Sequence, residues 1–97
     1  MKSVLIVYNQ VLGKDLIELL DALQIRGFTR WNDVEGRGTE TGNPRMGTHT
    51  WPALNSAILC VVADDDVDPL LDAVEALDSQ GIDRGIRAFV WNVERSV

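Results

Sequence analysis

Two short apolar runs, "SVLIVYN" at residues 3–9 and "SAILCVVA" at residues 56–63, each lead into a stretch patterned as a helix. A continuous apolar run of that length suits a strand buried from both sides. After the first run, Leu12, Leu16, Leu19, Leu20 and Leu23 recur at helical spacing within residues 10–27. Asn9 is placed to cap this helix, and Gly27 to end it in the left-handed conformation. After the second run, "DDDVDPLLDAVEAL" puts Asp64, Asp65, Asp66 and Pro69 in a first helical turn, where acidic residues and proline are favourable. Val67, Leu70, Leu71, Val74 and Leu77 form its buried stripe. "FTRWNDVE" at 28–35 mixes aromatic and branched residues with polar ones and reads as a half-exposed strand. "SQGIDRGI" is then a turn, and "RAFVWNVE" at 87–94 alternates as a last strand. The order β-α-β-β-α-β predicts an α+β, ferredoxin-like split sheet: four antiparallel strands with two helices on one face. At 97 residues the chain reads as one domain, 1–97.

That topology makes the first and third strands central, yet helices cover one face only. Alternate residues of the runs Val4 to Val7 and Ile58 to Val62 would then lie open. About half a dozen such side chains, each contributing roughly 1.5–3 kcal/mol when buried, compare with the whole stability of a small domain, about 5–15 kcal/mol. A second subunit is therefore expected over this face.

The segment "VEGRGTETGNPRMGTHTWPAL", residues 34–54, holds four of the eight glycines, two of the three prolines and the only histidine. It reads as a long structureless loop joining the second and third strands, and loops of this length are usually functional or disordered. The loop and the 80–85 turn project from one end of the sheet but from its opposite edges. They are expected to be far apart within a chain and to meet between subunits. Arg37 and Arg45 lie in the loop, and Arg84 and Arg87 at or beside the turn. Arginine forks suit phosphate or carboxylate, and glycines let backbone N–H groups approach an anion. The alternative is that these arginines pair with surface Asp and Glu.

A net charge of -6 argues against a nucleic-acid binder or a membrane-surface helix, both of which use a basic field. No run has the length of a membrane span and the apolar start lacks the flanks of a signal peptide, so the cytoplasm is the expected compartment. The single cysteine, Cys60, sits in an apolar run and reads as buried packing. "GRGTETG" has Thr41 in the third place of a dinucleotide fingerprint and leads into a loop, and no Walker lysine follows. The last strand lacks the aromatic signature of an RNA-recognition domain. His49 has no partners for a triad or a zinc site, the Asp64–Asp66 triplet lacks the spacing of a calcium loop, and Met46, His49 and Cys60 lack a characteristic copper-binding spacing. No metal site and no enzymatic activity are expected. Trp51 before Pro52 reads as a packing anchor, the alternative being a stacking platform.

"GFT" at 27–29, "VEGRG" at 34–38, "ADDDVDPLLDAV" at 63–74 and "RAFV" at 87–90 stand in an order and spacing that resembles the PII signal-transduction family over nearly the whole chain. The resemblance implies a homotrimer that binds ATP or ADP in clefts between subunits, with no obligatory cofactor. It also implies a T-loop, here about 37–54, that docks on a target protein. It places Thr29 near an adenine, the backbone of Gly36 and Gly38 along the nucleotide, and Arg87 where the family has a phosphate-binding lysine. Arg37, Arg84 and Gly85 join them as nucleotide-binding candidates, and Arg45, His49 and Trp51 as the partner-binding part of the loop. The family's G-D-G-K turn appears here as "RGIR", with Gly85 displaced by one place. Arg37 replaces a usual phenylalanine, and Thr39 and Glu40 a usual Arg-Gln pair, so that Glu40 would repel 2-oxoglutarate. The loop has no tyrosine for uridylylation, and the chain stops soon after its last strand, without the family's basic C-terminal segment.

The expectation is a short, divergent, non-enzymatic PII-like regulator, akin to the group associated with heavy-metal efflux systems, with a membrane transporter or efflux component as one class of target. Two alternatives remain at this level. One is a CutA-like or efflux-associated metal-handling trimer using Met46 and His49, and the other a ligand-free interaction module.

Overall fold

The computed structural model describes residues 1–80 and 85–97. Strand β1 spans Lys2–Asn9, and a 3₁₀ turn at Gln10–Leu12 leads into helix α1 at Gly13–Ala22. Strands β2, Thr29–Val34, and β3, Asn55–Val62, follow; a second 3₁₀ turn at Asp64–Asp66 opens helix α2, Val67–Asp78, and β4 covers Ile86–Asn92. The strands lie in the order β2-β3-β1-β4, with every neighbouring pair antiparallel. This is the expected split sheet.

The period of two along a strand decides what is covered. Val4, Ile6 and Tyr8 of β1 and Ile58, Cys60 and Val62 of β3 point to the helical side, where Leu12, Leu16, Leu20, Leu70, Val74 and Leu77 close the core. Cys60 is a packed core residue, and burial pushes its thiol pKa up. On the other face, register aligns Thr29, Leu59, Leu5 and Phe89 in one row, and Val61, Ser3 and Trp91 in the next. Val61, Phe89 and Trp91 are 50%, 54% and 48% exposed in the single chain. An apolar sheet face thus lies open, as expected.

Several boundaries differ from the sequence reading. Asn9 does cap the first turn, accepting from Val11 N–H at 3.2 Å. The helix, however, ends at Ala22, and the left-handed residue is Gln24 (φ 60), not Gly27. Ile25 N–H bonds the Leu20 carbonyl at 2.9 Å, which buries Ile25 and starts the descent three residues early. Strand β2 is exposed from Thr29 to Asp33 rather than half-buried, and it forms one edge of the sheet. The acidic triplet makes no side-chain cap at the second helix. Asp64 instead meets the Met1 ammonium at 2.6 Å, and that hydrogen bond holds its carboxyl below the usual range. The expected turn over 80–85 falls largely outside the described residues.

Candidate ligand cleft

The cleft begins at a fault in β2. Trp31 pairs with Ala57 and Val34 with Asn55, so three steps on β2 match two on β3. Asp33 absorbs the extra residue with φ 58, and its carboxylate accepts from Gln10 Nε2 at 2.5 Å. A bulge of this kind bends the strand and flips its facing. It brings Gly36 so close to Asn55 that a Cβ there would sit 3.0 Å from Asn55 Nδ2.

The loop that follows is ordered by its own hydrogen bonds, contrary to the structureless segment expected. Gly36 and Arg45 exchange two backbone bonds, Gly36 N–H to Arg45 O at 2.8 Å and Arg45 N–H to Gly36 O at 2.6 Å. Residues 37–44 form a lobe beyond that bridge. A second turn is closed by Gly47 N–H to Ala53 O (3.2 Å), Thr48 N–H to Trp51 O (2.9 Å) and Trp51 N–H to Thr48 Oγ1 (3.0 Å). Gln10 N–H to Leu54 O (3.0 Å) ties the loop's end to the start of the first helical segment.

The expectation that loop and turn stay apart within a chain is also corrected. Arg87 Nη2 donates to Gly38 O at 3.3 Å, and the Arg45 guanidinium lies against Gly85 while its Nη1 donates to Asn55 Oδ1 at 3.2 Å. Three strand spacings of about 4.8 Å separate the two edges, and an excursion of some twenty residues at up to about 3.3 Å each spans that easily. Gly85 has φ +63, and any side chain there would run into the Arg45 guanidinium. The positive φ favours glycine there, whereas the guanidinium, at the end of a flexible side chain, could move aside.

Between loop and sheet end lies a cleft of about 880 Å³, lined by Gly38, Arg45, Trp51, Asn55, Gly85 and Arg87 among others. A shallower hollow of about 610 Å³ on the loop's other side is lined by Glu35, Gly36, Arg37, Pro44, Met46 and Trp51. Of the residues singled out in the sequence, Gly38, Gly85 and Arg87 meet in the first cleft with Arg45 and Trp51, whereas Gly36 and Arg37 line the second. Thr29 lies further down the edge strand and lines neither; His49 sits exposed in the second turn; Arg84 is outside the described residues. Trp51 is 38% exposed and borders both hollows, so it is only partly a packing anchor. Cys60 is buried under the helices while Met46 and His49 are exposed on the loop, so these three do not share a face.

Two residues of the cleft escape the sequence reading. Asn55 is 4% exposed although it precedes the apolar run, and a buried amide at a strand's first position is the signal that could have marked it. Asp78, the last residue of α2, accepts from Ile86 N–H at 3.0 Å and so sets where β4 starts. Replacing Asp78 with alanine is expected to leave that part-buried N–H unpaired and to cost about 1–3 kcal/mol in urea unfolding. Asparagine there should recover most of the loss; an alanine variant as stable as wild type would remove the contact from the account.

A split antiparallel sheet with both helices on one side and a long loop bridged at its base defines a ferredoxin-like α+β protein. The whole chain, residues 1–97, matches the model of the nitrogen regulatory protein P-II family, and the protein belongs to that family. No curated protein matches it. Among solved structures it is similar to CPII of Thiomonas intermedia K12 bound to ADP, AMP and acetate, at 20% identity over 92% of this chain and 81% of that one, with a TM-score of 0.73. The same protein bound to ADP and bicarbonate aligns at 20% identity over 93% and 82%, with a TM-score of 0.75. A PII-like signalling protein of Thermus thermophilus aligns at 23% identity over 95% and 85%, with a TM-score of 0.69. At these identities the likeness establishes the fold.

Proposed function

We propose that this protein is a non-enzymatic regulator that assembles as a homotrimer through its open sheet face and binds an adenine nucleotide in clefts between subunits. Occupancy of the cleft biases the loop, about 37–54, between conformations that a target protein distinguishes. The observation that carries the reading is the meeting, within one chain, of Gly38 from the loop with Gly85 and Arg87 from the start of β4 in one cleft, which would form one subunit's wall of such a site. Such a cleft offers backbone and a guanidinium to phosphate oxygens. Membership of the P-II family and the ADP and AMP held by the similar CPII support the choice of nucleotide. Arg37 and Arg84 are further phosphate candidates, Gly36 lines the base of the loop, and Thr29 is the adenine candidate on the edge strand.

In this reading Arg45, His49 and Trp51 present the loop to its target, and the working compartment is the cytoplasm. Among the described residues no helix is long and apolar enough to cross a membrane, so an encounter with a membrane transporter or efflux component would be by docking. Replacing Arg87 with alanine should weaken ADP binding by at least several-fold, and about ten-fold if one charge-assisted hydrogen bond is lost, while the oligomer survives. Calorimetry on both proteins measures this. Equal affinities would take Arg87 out of the site.

A further inference from the structure

The ladder between β2 and β3 runs in one register as far as Trp31 opposite Ala57 and resumes one residue out of step at Val34 opposite Asn55. Without the extra residue the pairing would continue with Asp33 opposite Asn55, so the same two strands have a second, regular register open to them. Where the ladder lapses, side chains hold the backbone. Ser56 Oγ donates to Asn32 Oδ1 at 3.1 Å, and Gln10 Nε2 donates to Asp33 Oδ1 at 2.5 Å. Gln10 also holds the far end of the excursion, since its backbone N–H donates to Leu54 O at 3.0 Å. One residue at the start of the first helical segment thus grips both the end of β2 and the position just before β3.

We infer that Gln10 is a positioning residue that selects the bulged register at the base of the loop, and that releasing its side chain lets β2 slip by one residue toward the regular pairing. Asp33 sits at φ 58 in the bulge, a conformation that aspartate tolerates without preferring it. The backbone alone therefore does not favour the bulge, and the partner of the side chain decides. Gly36 acts in the same direction. A Cβ on it would stand 3.0 Å from Asn55 Nδ2, and a slip by one residue would bring Glu35, which carries a Cβ, toward that place. Because side chains alternate along an extended chain, the slip also reverses the facing of the residues that enter the loop. Gly38, whose carbonyl accepts from Arg87 Nη2, would be displaced from the cleft. The contact between Gln10 and Asp33, neither of which lines the cleft, so governs which loop residues do, whatever the cleft binds.

The test is nuclear magnetic resonance of the full chain, read for the cross-strand contacts of Asn55 and for amide exchange at Gly36 and Arg45. Wild type, Gln10→Ala, Gln10→Glu and the double variant Gln10→Glu with Asp33→Asn are compared. Wild type is expected to show Val34 opposite Asn55. Gln10→Ala removes the donor and keeps the backbone bond to Leu54, so exchange at Gly36 and Arg45 should quicken about three- to ten-fold, the equivalent of one exposed hydrogen bond. Amides of the core, such as that of Ile6, should keep their wild-type rates. Gln10→Glu sets two carboxylates against each other, and a second set of signals with Asp33 opposite Asn55 should appear. In the double variant the amide and the carboxylate have changed places, so a single register and slow exchange should return. A role for Gln10 confined to the first helical turn would leave the double variant as impaired as Gln10→Glu, and that outcome overturns the inference. Unchanged exchange with one bulged register in both single variants overturns it as well. So does equal acceleration at core amides in Gln10→Ala, which would be global destabilisation, or a wild type that already pairs Asp33 with Asn55.

Discussion

Leu59→Arg is expected to run as a monomer in size-exclusion chromatography with light scattering, where wild type runs as an assembly, while its circular dichroism stays native. Leu59 stands in the middle of the open face, between Thr29 on one side and Leu5 and Phe89 on the other. In the single chain this position lies on the uncovered side of the sheet, so an arginine there is tolerated by the fold. In an assembly that covers the face, the same guanidinium is buried against Leu5, Phe89 and their surroundings with no acid in the row to pair with it. The penalty for an unpaired buried charge, several kcal/mol, acts at every copy of a symmetric interface. The apolar side chains that the assembly covers each contribute about 1.5–3 kcal/mol, so the substitution removes part of that gain as well. An assembly unchanged by Leu59→Arg would mean that this face is not the interface.

Ile6→Ala is expected to lower the unfolding free energy by about 2–5 kcal/mol, a large share of the roughly 5–15 kcal/mol available to a small domain. Ile6 is fully buried in the central strand, between Ile58 and Ala88 in register and beneath the helices. Removing its distal carbons leaves a void that neither central strand can move to fill, since β1 is hydrogen-bonded on both edges. Urea unfolding in the Leu59→Arg background, at fixed protein concentration, separates this loss from any change in assembly. The midpoint should fall with little change in slope. A loss below about 1 kcal/mol would show that the core around Ile6 is looser than its burial implies.

What the sequence reveals and what it conceals divide along physical lines. The two apolar runs and the helical spacing after each are set by burial alone, so strand order, the helix-covered face and the open face follow from alternation once the topology is fixed. The helix end at Ala22 is hidden because Gly27 looks like a terminator, whereas the burial of Ile25 decides where the chain turns. The bulge at Asp33 leaves no sequence signal, because aspartate enters the left-handed region for local reasons that composition does not show. The loop's path is hidden for a related reason. Its glycines and prolines correctly mark a segment outside helix and sheet, but the bridge between Gly36 and Arg45 and the reach of Arg45 to Asn55 are tertiary contacts. Gly38, Gly85 and Arg87 line one cleft within the chain, where the sequence reading expected loop and turn to meet between subunits, while Thr29, Gly36 and Arg37 do not line it. In the proposed function these residues would act together with a neighbouring subunit set over the open face.

Calorimetric titration of ADP into wild type and into the monomeric Leu59→Arg variant tests the central claim most directly, because a site completed between subunits needs both the cleft and the assembly. Saturable binding of one ADP per chain in wild type, lost or greatly weakened in the monomer, is the predicted result. No binding to wild type at near-millimolar ADP, or equal binding to both proteins, would contradict it.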